Sequence, residues 1–315
     1  MPARHSSAAE KGHVSLSLLA GQSISVQSSD VPDVEHADSF AKDWPVATVE
    51  MKKPFNSVLV ISIWVFSLAV LWLLFFLPGW WPLLVPIHLL SQGFIVYPTL
   101  RSNCDWFGPI VKSFQTDQKE IWLTIDDGPH PENTPKILAL LKRFGARATF
   151  FVIGDHVKAH PQLTRAILEQ GHTLGNHTAT HPTALFWGLW RRAAAREIDG
   201  GVAAIQEATG IIPTWFRAPV GMANLFVHQI IRQRRMKIIG WSARGFDAVK
   251  RDAATVAGKI LSEIRPGAIV LLHEGSPAEK EQPVSVLAIE TILVRLQAEG
   301  YKCVVPGDHQ LHPKR

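Results

Sequence analysis

The sequence predicts an α/β domain behind an apolar N-terminal region, on three observations. Short apolar, β-branched runs alternate with longer helical ones from residue 118 onward. The unusual polar residues collect at the ends of the short runs, and two long stretches before residue 101 carry no charge. Alternating strands and helices imply βαβ units, a parallel sheet and an outer layer of helices.

The elements follow in order. "IWLTI" (121–125) precedes "TPKILALLKRFG", "RATFFVIG" (147–154) precedes "PQLTRAILEQG", and "HTLGNH" (172–177) precedes "LWRRAAAREIDGGVAAIQEATG". "TWFRAP" (214–219), "KIIGWSA" (237–243) and "AIVLLHE" (268–274) each lead into a further helix, and "YKCVV" (301–305) closes the series. Six such units and a closing strand fit an incomplete barrel or an open doubly wound sheet, and periodicity does not separate the two. In both, functional groups belong at the C-terminal ends of the strands.

Ahead of this domain, Ser57–Leu77 holds 21 residues without a charge, about the ~20 that a helix needs to cross a bilayer. A second uncharged run, Trp80–Leu100, begins within "PGWWP" and beyond it contains Pro86, Pro98, Gly93, His88 and Gln92, which makes it the weaker span. Re-entrant or interfacial placement is its alternative. Lys52, Lys53, Arg101 and Lys112 flank the pair, and the loop between the runs is uncharged. That pattern suits a hairpin with both ends cytoplasmic, whereas a single span exports all that follows it. The expected organisation is therefore a disordered, serine-rich tail over 1–55, a transmembrane region over 56–100 (spans 57–77 and 81–100) and the α/β domain from residue 118 onward. The apolar stretch begins too late and runs too long for a cleaved signal peptide.

The net charge of +5 and the basic run "RQRRMK" (232–237) raise nucleic acid as a partner. A basic helix end suits the helix dipole, and no aromatic basic motif accompanies this one, so no nucleic-acid partner is expected. Cys104 and Cys303 lie far apart without metal-ligand spacing.

The densest chemistry lies in "IWLTIDDGPHPENTP" (121–135), where a buried-type strand runs into Asp126 and Asp127. Adjacent carboxylates repel each other and resist desolvation, so a cation is expected between or beside them. "DDGP" also suits a simple turn, with the glycine at positive φ. His177 and His181 in "NHTATHP" place two imidazoles on one side of a turn, and one carboxylate added to them makes a catalytic divalent-metal set. Among 14 histidines such a pair is weak evidence alone, and His156 and His160 repeat the spacing. That second pair reads as a polar helix face. Arg217, Asp247 and His273 complete the polar set at strand ends.

"TIDDGP" (124–129), "HTATHP" (177–182), "RAPVG" (217–221), "WSARGFD" (241–247) and "VLLH" (270–273) stand in the order and approximate spacing of five motifs. In these the chain resembles the polysaccharide deacetylases, the NodB-homology domains of carbohydrate esterase family four, over roughly residues 118–306. The resemblance implies a distorted (β/α)7 barrel and metal-dependent removal of an acyl group, usually acetyl, from an amino sugar. It implies Asp127, His177 and His181 as metal ligands and Asp126 as general base. Arg217 is implied to hold and orient Asp126, His273 to act as general acid, Asp247 to support protonated His273, and the Val220 N–H to serve as oxyanion donor. Zinc is the natural ion for that ligand set.

Two of the motifs depart from the family pattern. Arg244 and Ala248 replace an aspartate and a tryptophan around Asp247, and Val220 replaces an aromatic. Both border the acyl or sugar pocket in relatives, so the substrate stays open among polysaccharide, oligosaccharide and lipid-linked glycan. A deformylase acting on a glycolipid and a catalytically silent, membrane-tethered sugar-binding protein are the competing readings. The aromatic stretch "TALFWGLWRR" (183–192) reads as packing against the barrel or as an apolar lip. Oligomeric state has no signature in the sequence.

Overall fold

A parallel α/β barrel follows a pair of apolar helices in the computed structural model, which describes residues 57–311 apart from 184, 251, 276, 277, 280 and 281. The described residues belong to one unit, Pro45–Arg315. The expected tail over 1–55 lies outside the described residues.

Helices α1 (Ser57–Phe76) and α2 (Trp81–Leu100) are joined by a 3-10 turn at Pro78–Trp80 and pack against each other. Trp81–Leu100 is the one helix among the described residues long and apolar enough to cross a membrane, and Ile61–Phe76 is a shorter apolar segment. Pro86 and Pro98 sit inside an unbroken α2; its Ser91 and Thr99 donate to α2's own carbonyls, and its His88 and Gln92 meet the neighbouring helix. Ser67 Oγ lies 3.0 Å from His88 Nδ1 and accepts a 2.5 Å hydrogen bond from Gln92 Nε2. These contacts join residues before and after the turn, so the helices run antiparallel.

The barrel is built from β1 (Ile110–Val111), β2 (Glu120–Gly128), β3 (Ala148–Val152), β4 (Thr173–Asn176), β5 (Trp215–Phe216), β6 (Lys237–Ile239), β7 (Ala243–Arg244) and β8 (Ala268–His273). Their order is β1-β6-β5-β4-β3-β2-β8-β7, and the paired strands are parallel. The single strand expected over 237–243 is split into β6 and β7, which pair with β5 and β8 respectively. The two flanks of the sheet are therefore linked through Gly240–Ser242. Gly240 permits this crossing because a Cβ there would lie 2.3 Å from Asn103 Oδ1.

A hairpin of β9 (Ala278–Glu279) and β10 (Gln282–Pro283) was not expected from the sequence, nor was β1, since two-residue strands carry no periodicity. The closing strand, β11 (Lys302–Cys303), pairs with the start of β2 rather than extending the main ladder.

Helices α3 (Asn133–Arg143), α4 (Gly154–Ala159), α5 (Pro161–Glu169), α6 (Arg191–Thr209), α7 (Leu225–Gln233), α8 (Ala253–Leu261) and α9 (Val284–Ala298) connect the strands. Asn224 and Asp252 cap α7 and α8 by accepting from the Val227 and Thr255 N–H groups. Strand alternation sorts the core into two layers. Ile121, Leu123 and Ile125 of β2 pack with Ile137 and Leu141 of α3 and with Ile289 and Ile292 of α9. Trp122 faces the other way, into a cluster with Phe151, Trp215 and Ile269, and donates through Nε1 to Thr149 Oγ1 at 2.7 Å. Asp126 lies in line with Trp122 and Thr124, on that same inner face.

Candidate active site

Period-two alternation carries Asp126 into the barrel interior, where the sequence-level conflict is resolved. Arg217 follows β5 and is fully buried there. Its Nη1 donates to Asp126 Oδ1 at 2.6 Å and to Thr124 Oγ1 at 2.8 Å, its Nε to the Ile239 carbonyl and its Nη2 to the Gly240 carbonyl. Phe151 packs on the guanidinium, 4.2 Å from ring centre to Cζ. Each charge compensates the other's desolvation.

In a regular strand Asp127 would face the helices beside Ile125. Instead the ladder with β3 shifts register between Asp126 and Gly128, and Asp127 takes φ +71°. This bulge turns its carboxylate toward the rim. The positive φ expected at Gly128 is thus found at Asp127. Gly128 is needed for another reason, since a Cβ there would lie 2.6 Å from Glu274 Oε1. Glu274 accepts through Oε2 from Thr134 Oγ1 and the His130 N–H, and holds the loop after β2 in place. Burial raises its pKa to about 7.

His177 and His181 leave the end of β4. The His177 N–H donates to the Val152 carbonyl, and Thr178 and His181 take φ +72° and +54°. Two left-handed non-glycine residues so close together are costly and mark a constrained turn. Gly201 of α6 makes room for it, because a Cβ there would meet Asn176 Oδ1 at 2.1 Å and the Thr178 carbonyl at 2.8 Å. His177 Nδ1 is 2.8 Å from the Arg217 carbonyl, which only accepts, so Nδ1 carries the proton and Nε2 presents a lone pair.

Asp127 Oδ1 lies 3.4 Å from His177 Nε2 and 3.5 Å from His181 Nε2. It is buried without a hydrogen-bond partner among the described residues. An orphaned carboxylate oxygen between two imidazole nitrogens, with ligand atoms all within 4.8 Å of one another, fits a divalent cation. Burial opposes the charge on Asp127, yet the imidazoles around it, His177 first and then His273 and His181, hold it well below the ordinary carboxylate range. Burial and the charge of His177 push His181 down to about 4, which favours the neutral, ligating imidazole.

His273, across the β2–β8 ladder from Asp126, is gripped by Asp247. Asp247 accepts from the His273 N–H at 2.6 Å and lies 3.0 Å from Nδ1. Burial lowers the pKa of this imidazole, but Asp247 and the carboxylates of Asp126 and Asp127 raise it to about 9. Val220 sits at the rim with φ +53°, and its carbonyl accepts from Ser102 Oγ at 2.7 Å. Arg244 stacks on Phe246, 4.1 Å from ring centre to Cζ.

Sequence reading missed several supports of the site. His156 Nδ1 is 2.9 Å from the Asp127 carbonyl and braces the bulge, where the pair His156/His160 had read as a solvated face. Thr124, Glu274, Gly201 and Ser102 act through contacts between residues distant in sequence. The adjacency of Glu274 to His273 was the one available signal.

The polysaccharide deacetylase family profile matches residues 114–239. A chitooligosaccharide deacetylase of Rhizobium leguminosarum bv. trifolii is 36% identical over 165 residues, covering 52% of this chain and 76% of that protein. Peptidoglycan-N-acetylglucosamine deacetylase PgdA of Listeria monocytogenes is 34% identical over 190 residues, 59% of this chain but 38% of its own length. The structure of peptidoglycan deacetylase PdaC from Bacillus subtilis superposes with a TM-score of 0.54 at 30% identity, covering 59% of this chain and 87% of that one. The parallel α/β barrel is the fold this chain shares with that structure. The chain belongs to the polysaccharide deacetylase family.

Proposed function

We propose that this chain is a membrane-anchored, metal-dependent hydrolase that removes an N-acyl group, acetyl first among them, from an amino sugar. The observation that carries this reading is the placement of an arginine-held carboxylate, Asp126, beside the Asp127/His177/His181 cluster, with an aspartate-bound imidazole across the strand ladder. The three-domain division stated for the sequence goes with it, the catalytic part spanning 118–306.

Asp127, His177 and His181 would hold the ion, and zinc suits one oxygen and two nitrogen donors. When bound, such an ion supplies Lewis-acid polarisation of a carbonyl and a lowered pKa for water. Asp126, fixed by Arg217, accepts the proton of the attacking water. His273, kept protonated by Asp247, delivers a proton to the departing amine. The Val220 N–H stabilises the developing oxyanion, a contribution of several kcal/mol in acyl transfer. Arg217 and Asp247 touch no substrate and act by positioning.

Antiparallel α1 and α2 as a hairpin would keep the catalytic domain on the same side as Lys52 and Lys53, the cytoplasmic side by charge. The test pairs metal content with turnover of N-formyl, N-acetyl and longer N-acyl glucosamine oligosaccharides. Asp127→Ala is expected to lose both the ion and acyl release, and retention of both would refute the proposal.

A further inference from the structure

Immediately after α2, the chain does not leave the membrane-proximal region as a loose linker but is bound to the rim of the barrel. Ser102 Oγ donates to the Val220 carbonyl at 2.7 Å, the Asn103 N–H to the Gly221 carbonyl at 3.2 Å, and Asn103 Nδ2 to the Trp241 carbonyl at 3.1 Å. Two residues beyond the end of an apolar helix are thereby fixed to the loop proposed to carry the oxyanion donor. Phe94 of α2 also meets Trp106 at 6.4 Å between ring centres. The end of the helix and the mouth of the site therefore lie on one side of the barrel.

That side carries apolar side chains turned to the exterior. Leu185, Trp190 and Val249 are 66%, 75% and 73% exposed, and Val220 and Phe246 are 47% and 39% exposed. All five stand on loops following barrel strands, at the catalytic end. They are contiguous with the strap. Asn224, just beyond Val220, donates to the carbonyls of Trp187 and Leu189, and Trp190 stacks on Phe226 at 5.9 Å. Trp241, bonded to the strap, lies beneath Arg244, which stacks on Phe246. Exposed arginines, Arg191 and Arg192, follow Trp190 directly. A tryptophan beside cationic side chains is the composition of a membrane–water boundary.

We infer that the mouth of the active site rests on the lipid surface and takes an amino sugar attached to a lipid in that same bilayer. This deepens the proposed deacylase function and rests on it. Continuity with α2 names the occupant of the apolar rim, because only Arg101 lies between the helix end at Leu100 and Ser102, which is bonded to the rim. A domain held there on the cytoplasmic side meets lipid-linked sugars in the plane of the membrane, whereas a polymer assembled outside is beyond its reach.

The test uses the full chain, zinc-loaded, in nanodiscs containing anionic phospholipid. One substrate is an N-acetylglucosaminyl diphosphopolyprenol in the disc, the other chitotetraose in solution. Leu185→Ser combined with Trp190→Ser is expected to raise KM for the lipid-linked substrate tenfold or more and to leave turnover of chitotetraose unchanged. Val249→Ser, on a separate loop, is expected to act in the same direction. Ile211→Ser, at an exposed apolar position following α6, is expected to change neither. Hydrolysis of chitotetraose with no preference for the lipid-linked sugar would overturn this inference alone, as would equal losses on both substrates. Acyl release from neither substrate would overturn the deacylase reading, and this inference with it.

Discussion

Arg217 Nη1 lies 2.6 Å from Asp126 Oδ1, and the two side chains expose 1% and 3% of their surface. Removing one member strands the other's charge in the barrel, at a cost of about 3–5 kcal/mol. Arg217→Met is expected to lower the unfolding midpoint accordingly. Arg217→Lys keeps the charge but not the planar fork that also serves Thr124, Ile239 and Gly240. It is expected to fold and to lose about 100-fold in kcat through misplacement of Asp126. Denaturant titration and single-turnover assays separate the two effects.

Asp127 Oδ1 between two imidazoles makes metal binding a stability term as well as a catalytic one. Zinc at 100 times its dissociation constant is expected to stabilise the folded chain by about 2.7 kcal/mol. Chelation should reverse the gain. His181→Ala is expected to abolish the zinc-dependent part of the melting shift while leaving the metal-free midpoint close to that of the parent, and differential scanning calorimetry reads both.

The Asp247–His273 contact sets an alkaline limit. His273 is raised to about 9, so its acid form dominates at neutral pH and is lost as pH rises through that value. A cation at Asp127 offsets part of the carboxylate attraction and moves the limit downward. The kcat profile is expected to fall on the alkaline side at or below pH 9. In Asp247→Asn the fall should move down by about one unit or more, since burial then acts with less opposition. An unchanged limb in that variant would assign the titration to another group.

His228 on α7 has a buried Nε2 with no hydrogen-bond partner among the described residues. Burial depresses its pKa from 6.5 to about 4. The unfolded chain therefore binds the proton first as pH falls, and folding stability declines between about 6.5 and 4 by up to roughly 3 kcal/mol. His228→Leu is expected to give a shallower acid slope in melts between pH 7 and 4.5 than the parent. An equally steep slope would place the sensitivity elsewhere.

The antiparallel contact of Ser67 with His88 and Gln92 makes the hairpin testable in cells. Paired reporters at Gly79 and at the C-terminus are expected to register opposite sides of the membrane, the C-terminus inside. The same side for both would exclude the hairpin.

What the sequence determined by itself is local or ordered along the chain. Alternation of strand and helix, the opposite directions of the neighbours Asp126 and Asp127 expected of a strand, and the identities of the polar residues at strand ends all follow from short-range period and motif order. The tertiary structure alone decided how those residues meet. The split of residues 237–243 between two partner strands, the bulge that re-aims Asp127, the bracing by His156 and Glu274, and the strap from Ser102 to Val220 depend on what packs alongside. Neither helical nor strand period encodes such contacts, because they join segments tens to more than a hundred residues apart. Their geometry is fixed only when burial brings unlike charges and unpaired polar atoms together.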